Sequence, residues 1–386
     1  MAVGTGAGLL DEAQPQSVFK HAILDQYLIR FAVMTAAKLS PKRAVLVDGF
    51  AGRGRHDDGS PASSELMMLA AQKAKTTTQV DLFLVEKNAA DYGRLDEVAN
   101  EYRARGAIVQ TRHGECGAFL DEVIAGAAGA SLFLFLDPCG ANLPWDQVVT
   151  ALEAKRGSWP RTEALLNFSA GLTRRAGGQV KAGQLDADGV KRLNLVCGGE
   201  WWQEVALGAH LASGAKDWEA AAHSVAEEYG ARLARAVDMS GSVTPVLGQI
   251  GRQPIYHLVF LTHGAQGLWV MSDALAVAHE KWLRTLGPSD EQAEGMLFNT
   301  ADHQVDELRQ LALLRVRENL EHLLADGKPK AVAQHTREIF GQSFGLAREK
   351  DFNAALRAMV ADGRAEIVTR GKKPHQHVIR GSITTG

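Results

Sequence analysis

Residues suited to chemistry gather in four short segments. The first is Asp48-Gly49-Phe50-Ala51-Gly52-Arg53-Gly54. Glycines at 49, 52 and 54 let the backbone turn sharply and approach a ligand closely. The second is Glu86-Lys87, whose carboxylate suits the paired hydroxyls of a ribose. The third is Gly114-Glu115-Cys116, where Glu115 and Cys116 could face a base, although Glu115 could equally be a first-turn helix acid. The fourth is Asp137-Pro138-Cys139-Gly140, where a carboxylate can orient an amine or hydroxyl nucleophile or take its proton. Asn167 and Ser169 could complete the same crevice, and His21, beside Lys20, is a candidate proton acceptor.

The elements around these segments alternate. Residues 17–38 have helical spacing behind a possible Ser17 cap. Ala44-Val45-Leu46-Val47 is an apolar strand ending at the glycine loop. A helix over 62–75 leads to a strand at 81–85, stopped by Glu86. A helix over 89–105 leads to a strand at 107–110, and a helix over 115–127 to the strand 131–136, stopped by Asp137. Ala164–Phe168 is a fifth strand. Such alternation implies a parallel, doubly wound sheet, which sets Asp48, Glu86 and Asp137 at the carboxyl ends, where ligands of open α/β sheets bind. Residues 172–245 break the rhythm and read as a helical insertion. Ile255–Thr262 and Leu268–Met271 then read as an antiparallel hairpin closing the sheet.

Four regions are expected: a disordered tail over 1–16, a Rossmann-like domain over 17–290, a helical connector over 291–327 and a winged-helix-like module over 328–386. In the last, two helices precede two strands flanking Gly371-Lys372-Lys373-Pro374. Arg370, Lys372 and Lys373 on that wing are candidate phosphate contacts, against the plainer reading of a protein-docking or structural module.

Across 386 residues, 42 basic and 45 acidic side chains leave a net charge of −3. From Lys328 onward the balance is 11 basic to 5 acidic, so the remainder carries −9. A basic end on an acidic body suits an anionic partner. Three cysteines at spacings matching no zinc pattern suggest a reduced, cytoplasmic chain without a metal. No apolar run approaches the ~20 residues that span a bilayer.

The motifs Lys20-His21-Ala22-Ile23-Leu24-Asp25-Gln26-Tyr27-Leu28, Asp48 to Gly54, Gly59-Ser60-Pro61 and Asp137-Pro138-Cys139-Gly140 resemble those of the three-Cys-motif partner (TcmP) proteins over about residues 17–280. That resemblance implies an S-adenosylmethionine-dependent methyltransferase, alongside a partner bearing a three-cysteine, radical-enzyme-like motif. It also implies a distant likeness to base-modifying enzymes with an Asp-Pro-Pro-Tyr loop. Here Cys139 and Gly140 replace the second proline and the aromatic, which argues against adenine N6 chemistry. The expectation is a methyltransferase. Asp48, Gly49, Phe50, Ala51, Gly52, Gly54, Glu86, Lys87, Glu115, Cys116 and Asp137 would bind the cofactor. Asp137 and His21 would serve the reaction. Pro138, Cys139, Gly140, Asn167, Arg370, Lys372 and Lys373 would meet a nucleic-acid acceptor. The rivals are a non-catalytic recognition subunit and an NAD-dependent oxidoreductase. The glycine spacing, which is not G-x-G-x-x-G, and the late antiparallel strand count against the second rival.

Overall fold

A computed structural model describes residues 15–138, 143–153, 161–214, 218–249, 252–286 and 300–382. The expected tail over 1–14 therefore lies outside the described residues, while Pro15 and Gln16 already begin a helix. The chain divides into two compact units. The first holds Leu28–His263, and the second joins Ser17–Tyr27 to the chain from Gly264 onward. Helix α1 (Pro15–Ala36) contributes to both.

The first unit is built on a seven-stranded sheet of order β3-β2-β1-β4-β5-β7-β6. Its strands are β1 (Arg43–Asp48), β2 (Gln79–Glu86), β3 (Ile108–His113), β4 (Ser131–Leu136), β5 (Thr162–Phe168), β6 (Ser240–Leu247) and β7 (Pro254–Thr262). The first five are parallel, and β7 runs antiparallel between β5 and β6. This is the Rossmann-like sheet of methyltransferase type. Every residue of β4 and β5 is buried, as expected of strands covered on both faces.

Parity separates those faces. Val45, Val47, Leu132, Leu134, Leu166 and Phe168 share one core with the helices on that side. These are α4 (Leu120–Gly126), α5 (Trp145–Glu153), α6 (Ala170–Lys181), α7 (Asp188–Cys197), α8 (Trp201–Ala212) and α9 (Glu219–Ala236). On the opposite face Phe133 meets Phe31 of α1, ring centres 5.4 Å apart. Helices α2 (Ser63–Ala74) and α3 (Ala89–Ala104) complete the crossovers among the first three strands.

Two expectations are corrected. The segment 172–245 is not wholly helical, because its end is edge strand β6. Pro245 and the Ser-Gly-Ser start disguise it, and an edge tolerates both. The hairpin partner of β7 is this strand, not Leu268–Met271, which lies inside α10 (Ala265–Thr285). Residues 267–276 of that helix are all buried. A helix apolar all round loses its period and reads like a short buried strand.

The second unit adds α11 (Thr300–Leu324), β8 (Lys330–Ala331), α12 (Thr336–Phe340), α13 (Glu349–Ala361), β9 (Ala365–Thr369) and β10 (Val378–Gly381). The strands form a small antiparallel sheet of order β8-β10-β9. Its core gathers Trp269, Val316, Leu320, Phe340, Phe352 and Leu356. Trp269 sits with ring centres 4.9 Å from both Phe340 and Phe352. Its indole N–H donates to Glu349 Oε2 at 2.8 Å.

Candidate cofactor site

Strands β2, β1 and β4 are neighbours in the sheet, so their terminal acids share one edge. The register places Asp48 beside Leu84 and Phe135, two residues short of Glu86 and Asp137. The glycine loop fills the notch this leaves. Gly49 N–H donates to Phe135 O at 3.0 Å on one side, and Ala51 N–H to Val85 O at 2.9 Å on the other. A Cβ at residue 49 would sit 2.6 Å from Cys116 Sγ and 2.8 Å from Leu136 Cδ2, so any larger residue would force one or both of those side chains to move. Gly52 and Gly54 adopt φ of +60° and +84°, a region other residues enter at a cost.

Two carboxylates hold this loop. Asp48 is fully buried, accepting from Phe50 N–H at 3.1 Å and from Ser63 Oγ, in the first turn of α2, at 2.7 Å. It braces the loop from within. Glu86 Oε2 accepts from Gly52 N–H at 2.8 Å, and Oε1 from Asn88 N–H at 2.6 Å. A carboxylate offers about four lone-pair directions. Glu86 is half-exposed, and these two bonds use one direction on each of its oxygens.

At the next loop Lys87 Nζ meets Glu115 Oε1 at 2.7 Å, both side chains being exposed. The lysine holds the Glu115 carboxyl below its usual range. Cys116 is buried beneath Gly49, and burial together with the Asp48 charge pushes its thiol up to about 12. It is a neutral packing group at ordinary pH. Across β4, Asn167 Nδ2 donates to Asp137 Oδ1 at 2.6 Å, joining the ends of β4 and β5. Pro138 is buried beside them, and Cys139 and Gly140 lie outside the described residues. Ser169 accepts from Leu172 N–H at 3.1 Å and so caps α6.

Within the first unit the structure therefore brings together Asp48, the glycine loop, Glu86, Lys87, Glu115, Cys116, Asp137 and Asn167. His21 belongs to the second unit, on the Ser17–Tyr27 part of α1, as do Arg370, Lys372 and Lys373, which are exposed between β9 and β10.

Sequence reasoning passed over the clamp beyond the loop. Arg55 Nε donates to Glu65 Oε2 at 2.9 Å, and Arg55 Nη2 lies 3.1 Å from Glu101 Oε2. Tyr102 OH donates to Glu65 Oε1 at 3.0 Å. Burial and the Glu65 charge push the tyrosine up to about 12. The alternating charges Arg53, Arg55 and Asp57 inside a glycine loop were the available signal. Also unforeseen is His257 on β7, opposite Phe168. It is fully buried, with Nε2 3.4 Å from His223 Nδ1 on α9. Burial, with the His223 and Arg174 charges, pulls it down to about 3.

No protein-family profile matches the chain, and no curated protein matches its sequence. Solved structures it is similar to include the small RNA methyltransferase HEN1, at 8% identity over 68% of this chain and TM-score 0.34. The chain spans only 27% of that protein. The methyltransferase domain of a bacterial Hen1 is 8% identical, covering 63% of this chain and 99% of that one at TM-score 0.33. The O-methyltransferase TomG of Streptomyces achromogenes, solved with S-adenosylmethionine, is 14% identical over 65% and 79% of the two chains at TM-score 0.31. Such scores carry no argument about activity, which rests on the strand order and the residues at its edge.

Proposed function

We propose that the first unit binds S-adenosylmethionine and transfers its methyl group to a nucleic acid. The observation that carries this is the Glu86 carboxylate, tied by Gly52 N–H to a glycine loop at the switch point of the sheet. Its two remaining acceptor positions suit vicinal ribose hydroxyls. Gly52, with open space where a Cβ would stand, presents backbone without a side chain where the rest of the cofactor would lie, while Gly54 turns the loop against Val98 of α3. When bound, the sulfonium supplies an electrophilic methyl carbon.

The chain's residues serve the acceptor. Asn167 fixes one oxygen of Asp137 and so fixes the orientation of the carboxylate. Asp137 can then hold an amine or hydroxyl and take its proton. Transfer is an in-line displacement, so holding the acceptor contributes much of the rate. Asp137 would take the proton that the acceptor heteroatom gives up as the methyl group passes to it from S-adenosylmethionine, which leaves as the neutral thioether.

The motifs of α1 and the glycine loop support membership of the three-Cys-motif partner proteins. The order α11-β8-α12-α13-β9-β10, with sheet order β8-β10-β9, supports a winged-helix reading of the second unit. With its basic end, that module favours a nucleic-acid acceptor.

Calorimetric titration of the full chain with S-adenosylmethionine, with NAD as control, tests the reading. Binding of the first alone is expected. Glu86→Ala should weaken it by about 10–100-fold, the worth of a charge-assisted hydrogen-bond pair, and Glu86→Gln by less. Asp137→Ala should keep the affinity and lose turnover. Binding of NAD, or of neither nucleotide, overturns the reading.

A further inference from the structure

We infer that the second unit docks on duplex DNA through the outward face of α13 and the β9–β10 connection. This deepens the methyltransferase reading by naming the acceptor's form, and rests on that reading only for its purpose.

The argument begins with the period of α13. Phe352, Ala355, Leu356 and Met359 are buried, which leaves Lys350, Ala354, Arg357 and Ala361 as one exposed stripe at helical spacing. Both acids of its first turn are engaged elsewhere. Glu349 accepts from the Trp269 indole at 2.8 Å, and Asp351 accepts from Arg348 N–H at 2.7 Å as a cap. The stripe is thus cationic, with Ala354 between the two charges giving a surface room to approach.

The β9–β10 connection adds exposed Arg370, Lys372 and Lys373. Its shape is held from within, by Gly371 N–H to His377 Nδ1 at 3.1 Å and Lys373 N–H to Gln376 Oε1 at 3.3 Å.

These cations, like Arg315, Lys328 and Arg337, have no carboxylate partner among the described residues, unlike others in the unit. Arg309, Arg317, Lys330, Arg348, Arg364 and Arg380 each form an ion pair with a carboxylate. Among the described residues no carboxylate pairs with Lys350, Arg357, Arg370, Lys372 or Lys373. An unpaired cation gives up no existing partner when it meets a phosphate, and it releases a condensed counterion on doing so.

The form of nucleic acid follows from what surrounds the charges. No aromatic is among the large exposed apolar side chains of the described residues, so stacking of single-strand bases would fall to partly buried Phe344 or to the arginines, and a duplex is the better fit. A helix enters the ~12 Å major groove of B-form DNA but not the deep, narrow groove of A-form RNA. On the stripe and its flank Lys350, Asn353 and Arg357 are the side chains able to reach base edges, and so few should give a weak sequence preference.

The experiment is fluorescence anisotropy of the full chain with a labelled DNA duplex, the matching RNA duplex and either single strand, from about 50 to about 200 mM salt. Tightest binding to the DNA duplex is expected, with a log–log salt slope of about −4 to −5 for these five contacts. A scrambled duplex should bind within about tenfold. The double substitution K372E/K373E should weaken binding by more than about tenfold and make the slope shallower by about 2. Both positions are exposed, and circular dichroism should show an unchanged fold. Arg357→Ala should weaken binding independently. Absence of duplex binding, indifference to these substitutions, or preference for RNA or a single strand overturns the inference. Titration of the same proteins with S-adenosylmethionine separates the two claims. For the unsubstituted chain, cofactor binding without duplex binding sinks only the docking, and duplex binding without cofactor binding sinks only the catalytic reading.

Discussion

At the scale of single residues, the site depends on close approaches as much as on charge. Gly49 is fixed by Cys116 Sγ, 2.6 Å from where its Cβ would be. Gly49→Ala should therefore cost about 1–3 kcal/mol of stability, read as a lower thermal midpoint, and weaken cofactor binding. Cys116→Ala removes the obstructing sulfur, so the double variant should be less damaged than the two single losses added together. Simple additivity would show that the sulfur is not the cause and leave Leu136 Cδ2, 2.8 Å from the same Cβ, as the obstruction. The acids were legible in the sequence because each sits at the end of an apolar strand. The role of Asp48 was not. That it is buried and bound to Phe50 N–H and Ser63 depends on how the loop folds back over β1, which spacing alone does not specify.

At the scale of elements, the parallel strands and their crossovers were legible to within a few residues, because strands buried on both faces read as apolar runs. Both misreadings came from elements whose burial departs from that rule. Strand β6, at an edge, carries Gly241, Ser242 and Pro245. Helix α10 is apolar on nearly every side because the second unit packs around it. Trp269 shows the consequence. It meets Phe340 and Phe352 and donates to Glu349. Trp269→Ala should cost about 3–5 kcal/mol, read as early loss of protease resistance from Gly264 onward. A variant as resistant as the parent would contradict the packing described.

At the scale of the whole molecule, both units bury a histidine that must stay neutral. His257 is held at about 3. His279 is held low by burial, against the opposing pull of hydrogen bonds to Gly345 O and Leu275 O. An unfolded histidine titrates near 6.5. Below that pH the unfolded chain binds the extra proton, so stability is full above about 6.5 and falls with acid toward 3. The slope for His257 is about 1.4 kcal/mol per pH unit, a loss of some 2–3 kcal/mol by about pH 4.5. Denaturant midpoints measured across that range should follow it, and His257→Leu should flatten the dependence. An equally steep profile in that variant would assign the acid sensitivity to other groups.

The second unit is assembled from two stretches of chain that are far apart in sequence, Ser17–Tyr27 and the region from Gly264 onward. During synthesis the early stretch emerges first and waits. Phe19, whose ring ends against His279 at 4.7 Å, and the fully buried Ile23 and Leu24 have no completed unit to enter until the last helices leave the ribosome. At about 5–20 residues per second that wait lasts on the order of tens of seconds. Through that interval the nascent chain carries an apolar ridge whose own unit is not yet made, the kind of surface a holding chaperone recognises.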